Sequence, residues 1–440
     1  MNELSITDMI SQPSVQVAVW GNGVSGRAAH KLLLSKGFKA VLFDEKGRVF
    51  NEDDAQKYSL IVQSPGFKPD HDWKKLASKF NRKVISEVDL GFSFSDHAEM
   101  VAITGTNGKT TLTELLGYVS RKLHFSCFEL GNIGTPLSEA VAEKKVSQKI
   151  IFHETSSFQA NSSQVFKADF LLWTNFGEDH LDYHRTEKEY FFSKLRLAHG
   201  CANPDNVFLG SSVYQYAQKH GIEINPHFNH VRPLIAEDLP CSVHAIHRSI
   251  PQLENLAFAM SWLRCKGISP EQFFGSLEGY KPPSYRLEHI AQIQNIGFWN
   301  DSKSTNLGST LAACKSFAEK VTWIGGGKSK GQELEAFASS LHPYLQGAFL
   351  IGETARELAS SLQKRGIKSV VCESLKIAVS KAFAFAKQST DILFSPGFAS
   401  FDMFSDYTDR GNSFQSLVFD LKSTHQVTTK LSTNHLQASY

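Results

Sequence analysis

The stretch Val101-Ala-Ile-Thr-Gly-Thr-Asn-Gly-Lys-Thr-Thr111 decides how this 440-residue chain is read. A short apolar run enters a turn built on Gly105 and Gly108, and Lys109, Thr110 and Thr111 open a helical pattern. That is a strand, a phosphate-cradling loop and a helix amino terminus, where backbone N–H groups and the helix dipole favour a phosphate. In such a loop the backbone of Gly105, Thr106, Asn107 and Gly108 surrounds the phosphates, Lys109 reaches the terminal ones, and Thr110 is placed to hold Mg²⁺. The common loop is G-x-x-x-x-G-K-[ST]. Here Ile103 stands where its first glycine belongs, leaving the shorter G-x-x-G-K-T, which excludes many nucleotide-binding families.

Outward from this loop, short β-rich runs alternate with helical patterns, which predicts α/β layers around parallel sheets. A first series contains Val15–Trp20, a helix near Arg27–Lys36 stopped by Gly37, Ala40–Phe43, and Leu60–Gln63 ending at Ser64-Pro65-Gly66. A second opens at Met100–Thr104 and continues through Lys149–His153 and Asp169–Thr174. A third follows Pro282-Pro283 and contains Val321–Gly325, Ala348–Ile351, Ser369–Val371 and Ile392–Phe394. The expected domains are residues 1–97, 98–283 and 284–440, as the length also suggests. The polar tail after about residue 424 carries no periodicity and is expected to be loose.

Hydrophobic residues make up 41% and charged residues 20% of the chain, enough apolar material for cored globular domains. A net charge of +2 without a basic block argues against a nucleic-acid partner. The six cysteines are scattered with no C-x-x-C, which reads as free thiols in a reducing compartment rather than disulfides or zinc ligands. The amino-terminal residues carry no basic segment followed by an apolar core. No run approaches the roughly 18 apolar residues of a membrane span. A cytoplasmic protein without a membrane partner is expected.

Gly21-x-Gly23-x-x-Gly26 after a strand, with Asp44 closing the next, satisfies a dinucleotide fingerprint. Alone it suggests a nicotinamide oxidoreductase, but no hydride-transfer site is identifiable in the rest of the chain. Ser64-Pro65-Gly66 adds a second loop at the carboxyl end of a strand. A nucleotide-containing ligand other than NAD is the preferred reading.

Further chemistry follows the phosphate loop. Gly131-Asn132-Ile133-Gly134 is a turn with one amide side chain, and Glu154 closes the run before Thr155-Ser-Ser-Phe-Gln159. Thr174-Asn-Phe-Gly-Glu-Asp-His-Leu-Asp182 gathers acids around His180, and Lys194 lies on a helix. Phosphoryl transfer needs charge neutralisation and positioning. Mg²⁺ prefers oxygen ligands, so Thr110 and Glu154 are natural partners for it. Taken singly, His180 could serve a structural hydrogen bond and Lys194 could be a solvated helix lysine.

Together these motifs resemble those of the Mur ligases. The matching residues are Gly105-Thr-Asn-Gly-Lys-Thr110, Gly131-Asn-Ile-Gly134, Glu154-x-Ser-Ser-Phe-Gln159, Asp179-His-Leu-Asp182, Lys194-Leu-Arg196, Arg286, Asn300-Asp-Ser-Lys303, and Ser395-Pro-Gly-x-Ala-Ser-Phe-Asp402 with Arg410-Gly411. They run in family order over nearly the whole chain. The resemblance implies a Rossmann-like UDP-substrate domain, a central P-loop-type ATPase domain with a mostly parallel sheet, and a Rossmann-like amino-acid-binding domain. It implies ATP contacts from Gly105 through Thr111 and from Asn255, Arg286 and Asp301, with Lys109 and Lys303 at the reacting phosphate. Two Mg²⁺ ions are implied, one served by Thr110 and Glu154. The other is served by His180 and by Lys194 carboxylated with CO₂, since a carbamate ligates a cation and an ammonium does not. Carboxylation needs a neutral amine, which burial favours in general.

The same resemblance places the UDP-substrate at Gly23, Val24, Ser25, Asp44, Ser64, Pro65, Gly66 and Asn132. It points to the D-glutamate-adding branch, in which Thr305, Ser400 and Tyr407 would receive the amino acid together with a lysine. That lysine is Lys328 or Lys330, and the spacing to Gln332-Glu333-Leu334 favours Lys330. Position 407 is commonly Phe in this branch, and Tyr407 adds a hydroxyl. Pro251-Gln252 replaces the His-Asn pair usual at the adenine site, while Asn255 is kept. The Asp-Asn-Pro-Arg signature of the diaminopimelate branch is absent from the third domain. The expected enzyme is a monomer that uses ATP to join D-glutamate to UDP-N-acetylmuramoyl-L-alanine. The rivals are a sister Mur or folylpolyglutamate-type ligase and the oxidoreductase.

Overall fold

The computed structural model describes residues 6–96, 98–240, 250–329, 331, 333–386 and 390–437. Strands β1 (Gln16–Trp20), β2 (Lys39–Phe43), β3 (Leu60–Gln63) and β4 (Lys83–Ser86) form a parallel sheet in the order β2-β1-β3-β4. A second parallel sheet contains β5 (Glu99–Thr104), β6 (Cys127–Gly131), β7 (Ile150–Glu154), β8 (Phe170–Trp173), β9 (Val207–Gly210) and β10 (Asn229–Val231). Its order is β10-β9-β8-β5-β7-β6, so the chain leaves β5 towards one edge and returns to its other side. A third sheet has β11 (Glu288–Ile293), β12 (Ile296–Asn300), β13 (Val321–Gly325), β14 (Leu345–Leu350), β15 (Lys368–Val371) and β16 (Ile392–Phe394) in the order β11-β12-β16-β13-β14-β15. It is parallel except for the β11–β12 hairpin, whose turn residues Gln294 and Asn295 are both left-handed, at φ 49° and 64°. The α/β class with mostly parallel sheets agrees with the sequence reading.

Parallel strands covered on both faces need apolar residues at successive positions. Phe170-Leu-Leu-Trp173 and Val321-Thr-Trp-Ile-Gly325 are buried throughout. Several helices start on reciprocal caps, Ser86 with Asp89 and Ser156 with Gln159 among them. The first two sheets belong to one compact unit; a second unit contains Glu178–Asp182 and the chain from Lys281 onward. One continuous core explains the first unit. Val17, Val19, Leu32, Val88 and Leu90 of the first sheet's layers pack in the same cluster as Met100, Leu137, Ile151, Leu171 and Trp173.

The last helix, Tyr407–Gln437, continues through the segment that the sequence reading expected to be loose. Phe414 and Val418 are buried, Phe414 stacks on Phe394 at 4.5 Å, and His425 meets Phe383 at 4.9 Å. Packing nucleates the helix, and extending a helix already nucleated through polar residues costs little. Cys201, Cys314 and Cys372 are buried free thiols. Among the described residues no helix is long and apolar enough to cross a membrane.

Glu87, on the helix Glu87–Ser93 of the first sheet's layer, is buried against the helix Leu137–Ala142 of the second. Its Oε1 accepts the Ser138 N–H at 2.7 Å and its carbonyl accepts the Ser138 hydroxyl at 3.0 Å. Burial raises the carboxyl to about 7; the Ser138 donors oppose the shift and the nearby Asp89 charge adds to it. A raised acid holds its proton in the folded state, so its contribution is complete below pH 4.5 and is lost as pH rises through 7. The loss amounts to about 3 kcal/mol. Urea midpoints of the first unit should fall over that interval in the parent protein and stay nearly level in Glu87→Gln.

Candidate active site

The phosphate loop leaves the carboxyl end of β5 with Gly105 at φ 147° and Gly108 at φ 82°, the latter starting the helix Lys109–Lys122. A Cβ on Gly105 would lie 2.0 Å from the Thr174 hydroxyl, and one on Gly108 would lie 3.0 Å from Asn255 Oδ1. Asn255 is therefore brought to the loop. The loop following β8 holds this one from the side. Thr106 N–H donates to the Asn175 carbonyl at 3.1 Å, and Asn107 N–H to Asn175 Oδ1 at 2.8 Å. The Thr174 hydroxyl donates to the Asn107 carbonyl at 2.7 Å, and the Thr106 hydroxyl to the Gly177 carbonyl at 3.1 Å. Sequence reasoning had noted this segment for its acids and missed Thr174, Asn175 and Gly177 as supports. The available signal was that they directly follow the apolar run Phe170–Trp173, at the strand end where α/β sheets carry their site loops.

Two lysines converge on one carbonyl. Lys109 Nζ donates to the carbonyls of Gly105 at 2.9 Å and Thr106 at 3.0 Å. Lys194 Nζ donates to Gly105 O at 3.0 Å and to the Thr104 hydroxyl at 3.1 Å, and lies 4.9 Å from the Tyr190 ring centre. Lys194 is 1% exposed, so it is not a solvated helix lysine. Thr110 and Thr111 lie buried in the first turn of the helix. Glu154 ends β7 beside β5, with Oε1 accepting the Asn132 amide at 2.8 Å and the Glu154 carbonyl accepting the Asn132 N–H at 2.8 Å. Asn132, expected at the UDP-substrate, thus aims the carboxylate. The other oxygen, Oε2, is buried with no hydrogen-bond partner.

That orphaned carboxylate oxygen, with the Thr110 hydroxyl on the adjoining helix, fits an oxygen-preferring cation that retains waters. Among the described residues no three His, Cys, Asp or Glu side chains form a metal cluster, so phosphate oxygens and water would complete such a site. His180 belongs to the segment Glu178–Asp182 of the second unit. Its φ is 55°, its N–H donates to Asp179 Oδ1 at 2.9 Å, and its Nε2 lies 3.7 Å from Asp179 Oδ2. Asp179 also accepts the Asn306 amide at 3.1 Å.

The first sheet places its glycine turn and Ser64-Pro65-Gly66 at the carboxyl ends of neighbouring β1 and β3, where open α/β sheets bind ligands. Gly21 is left-handed at φ 94°, and a Cβ on Gly26 would lie 1.7 Å from the Gly21 carbonyl. Gly23 and Gly66 face open space, Val24 is exposed and Ser25 half-buried beside them. The Ser64 hydroxyl is buried without a partner. Asp44 accepts the N–H groups of Asn22 at 2.9 Å and Lys46 at 3.0 Å, and these donors hold its carboxyl below the usual range.

In the second unit Asp301 is buried, accepting the hydroxyls of Ser304 at 2.6 Å and Ser395 at 2.7 Å and the Leu287 N–H at 3.2 Å. Burial raises its pKa, against those hydroxyls and the Arg286 charge. It ties down the bend around Arg286, where Tyr285 and Leu287 have φ 63° and 48°. Lys303 Nζ lies 5.6 Å from the Tyr407 ring centre, Ser400 is buried and Thr305 half-buried. Lys330 lies outside the described residues. The alternative Lys328 donates its N–H to the Ala399 carbonyl at 2.9 Å, next to Ser400. Arg410, quoted above without a role, is 1% exposed and donates to Ser302 Oγ at 3.1 Å, Ser302 O at 2.8 Å and Phe398 O at 3.0 Å. Burial draws its pKa down to about 10. It clamps together the two loops that carry Lys303 and Ser400.

Two family descriptions match the chain: Mur ligase middle domain over residues 103–225, and Mur ligase, glutamate ligase domain over residues 285–398. The UDP-N-acetylmuramoylalanine–D-glutamate ligase of Hydrogenobaculum sp. is 32% identical over 417 residues, covering 91% of this chain and 98% of that protein. The chain belongs to the Mur ligase family. The equally named protein of Aquifex aeolicus is 31% identical over 426 residues, covering 91% and 97%. The fold of this Mur ligase also matches MurF from Acinetobacter baumannii at TM-score 0.57 and 14% identity, covering 90% and 98% of the two chains.

Because both the left-handed φ and the Thr174 hydroxyl leave no room for a Cβ at Gly105, Gly105→Ala should distort the loop. The expected outcome is at least about a tenfold weaker ADP affinity by calorimetry, with stability, read from the urea midpoint, lowered by about 1–3 kcal/mol.

Proposed function

We propose that this Mur ligase joins D-glutamate to UDP-N-acetylmuramoyl-L-alanine at the expense of ATP in peptidoglycan precursor synthesis. It acts as a cytoplasmic monomer, with UDP-substrate, ATPase and amino-acid domains over residues 1–97, 98–283 and 284–440. The observation that carries the reading is the Gly105–Thr111 loop with the orphaned Glu154 Oε2 beside it, in a chain similar over 91% of its length to D-glutamate ligases.

The γ-phosphoryl group of ATP passes to the alanyl carboxylate, giving an acyl phosphate and ADP. The amine of D-glutamate attacks the acyl carbon, and the tetrahedral intermediate expels phosphate and loses the amine proton. Lys109 leaves its loop carbonyls for the β- and γ-phosphates, and Lys303 neutralises charge on the transferred group. Arg286, held by Asp301, and Asn255 take the nucleotide; Ser400, Thr305, Tyr407 and Lys330 take the amino acid. Thr110 and Glu154 would hold one Mg²⁺, and His180 with a carbamate on Lys194 a second. Bound there, the cations would neutralise charge on the phosphate oxygens.

With UDP-N-acetylmuramoyl-L-alanine and ATP supplied, phosphate release should depend on D-glutamate. Release with L-alanine, L-lysine or diaminopimelate but not D-glutamate would overturn the substrate assignment. Lys194→Ala should lose activity that short carboxylic acids partly restore, and a fully active variant would rule the carbamate out.

A further inference from the structure

Asp89 makes more hydrogen bonds than its place in a helix cap explains. It is the third residue of the helix Glu87–Ser93, and in a reciprocal cap such a carboxylate accepts one backbone N–H. That bond is present, from Ser86 N–H to Oδ2 at 3.0 Å, with the Ser86 hydroxyl at 2.8 Å. The same carboxylate also accepts three successive N–H groups across the junction between the first two sheets: Gln164 at 3.0 Å, Val165 at 2.8 Å and Phe166 at 2.8 Å. Asp89 is fully buried. Converging backbone N–H groups form an anion-binding concavity. Here a side chain of the first sheet's layer fills one made by the second's.

The turn that Asp89 holds is connected to both elements of the phosphate site. Upstream, the Ser163 hydroxyl donates to Gln159 O at 2.8 Å, closing the helix Ser157–Ser162 that begins three residues after Glu154. On the other side, Arg196 donates to Ser163 O at 3.1 Å and to Asn161 O at 3.2 Å. Arg196 lies on the helix Glu187–Gly200, two residues from Lys194. The Gln164 amide also donates back to Val84 O on β4 at 2.6 Å.

We propose that Asp89 is a positioning residue of the ligase reaction. Through the turn Gln164–Phe166 it sets the register of the first sheet, where the UDP-substrate binds, against the elements that carry Glu154 and Lys194. The proposal rests on the functional reading above. The loops that would take UDP lie at the ends of β1 and β3, and the phosphate loop lies at the end of β5, none of them in contact with Asp89, so losing the register leaves ADP and UDP affinities intact and misplaces the acceptor carboxylate.

The test is Asp89→Asn, which keeps the shape but sets an N–H₂ group among donors. Its kcat/KM for UDP-N-acetylmuramoyl-L-alanine should fall between about ten- and a hundredfold, with ADP and UDP dissociation constants within about twofold of the parent. Asp89→Glu, which keeps the acceptor, should recover part of the loss and remain about threefold below the parent. Unchanged kcat/KM in Asp89→Asn would overturn the proposal, as would a parallel fall in all three quantities, the mark of a purely structural residue. Should Asp89→Asn not fold, Asp89→Glu decides by the same comparison. Amide exchange gives a reading independent of activity: protection at Gln164, Val165 and Phe166 should drop in the variant, and unchanged protection counts against the proposal. If the parent works with another amino acid in place of D-glutamate, the substrate assignment falls. The Asp89 comparison is then made with that amino acid.

Discussion

The Gly105 carbonyl receives both Lys109 and Lys194, and the rest of the site depends on that shared oxygen. A phosphate loop must keep its N–H groups aimed outward while its carbonyls, which would repel phosphate, stay occupied. In this chain the carbonyls of Gly105 and Thr106 face lysines, and that of Asn107 faces Thr174 and Asn175. The loop is therefore held in shape by the protein itself. Lys109 thus stabilises the loop through the carbonyls that it occupies.

Within the two units, buried charges are met in three different ways. Asp89 is surrounded by backbone N–H groups, Asp301 by two hydroxyls and one N–H, and Arg410 by carbonyl and hydroxyl oxygens. Each meets backbone groups from a different stretch of chain, so each buried charge fixes the spacing of two segments. Leaving any of them unmade would strand a charge in a dry interior, which is costly. Glu154 Oε2 is a different case, a buried carboxylate oxygen with no hydrogen-bond partner. An oxygen so placed fits an oxygen-preferring cation.

Much of the site was legible because its residues are local. Strand, glycine turn and helix start are contiguous in Val101–Thr111, and Glu154 and Thr174 each close an apolar run, so period and punctuation suffice to place them. The supports were less legible. Thr174 and Asn107 are separated by 67 residues, and Asp89 and Phe166 by 77. No local pattern reports such pairs. Nothing local to Arg410 shows that it holds the loops of Ser302 and Phe398 together. The continuation of the last helix past residue 424 was illegible for the same reason, since His425 meets Phe383 only in the folded unit.

The sequence by itself determined the α/β class, the phosphate loop with its missing first glycine, the ends of the strands that carry chemistry and the family motifs. These depend on contiguous residues and on backbone conformations that glycine alone adopts readily. Tertiary structure decided which loops meet, which oxygens receive Lys109 and Lys194, why Asn132 faces Glu154, and how Asp89 joins two sheets. In a parallel sheet, strand order is set by long crossovers, and neighbours at the carboxyl edge come from distant parts of the chain. Their meeting is a property of the packed core, and no single segment contains it.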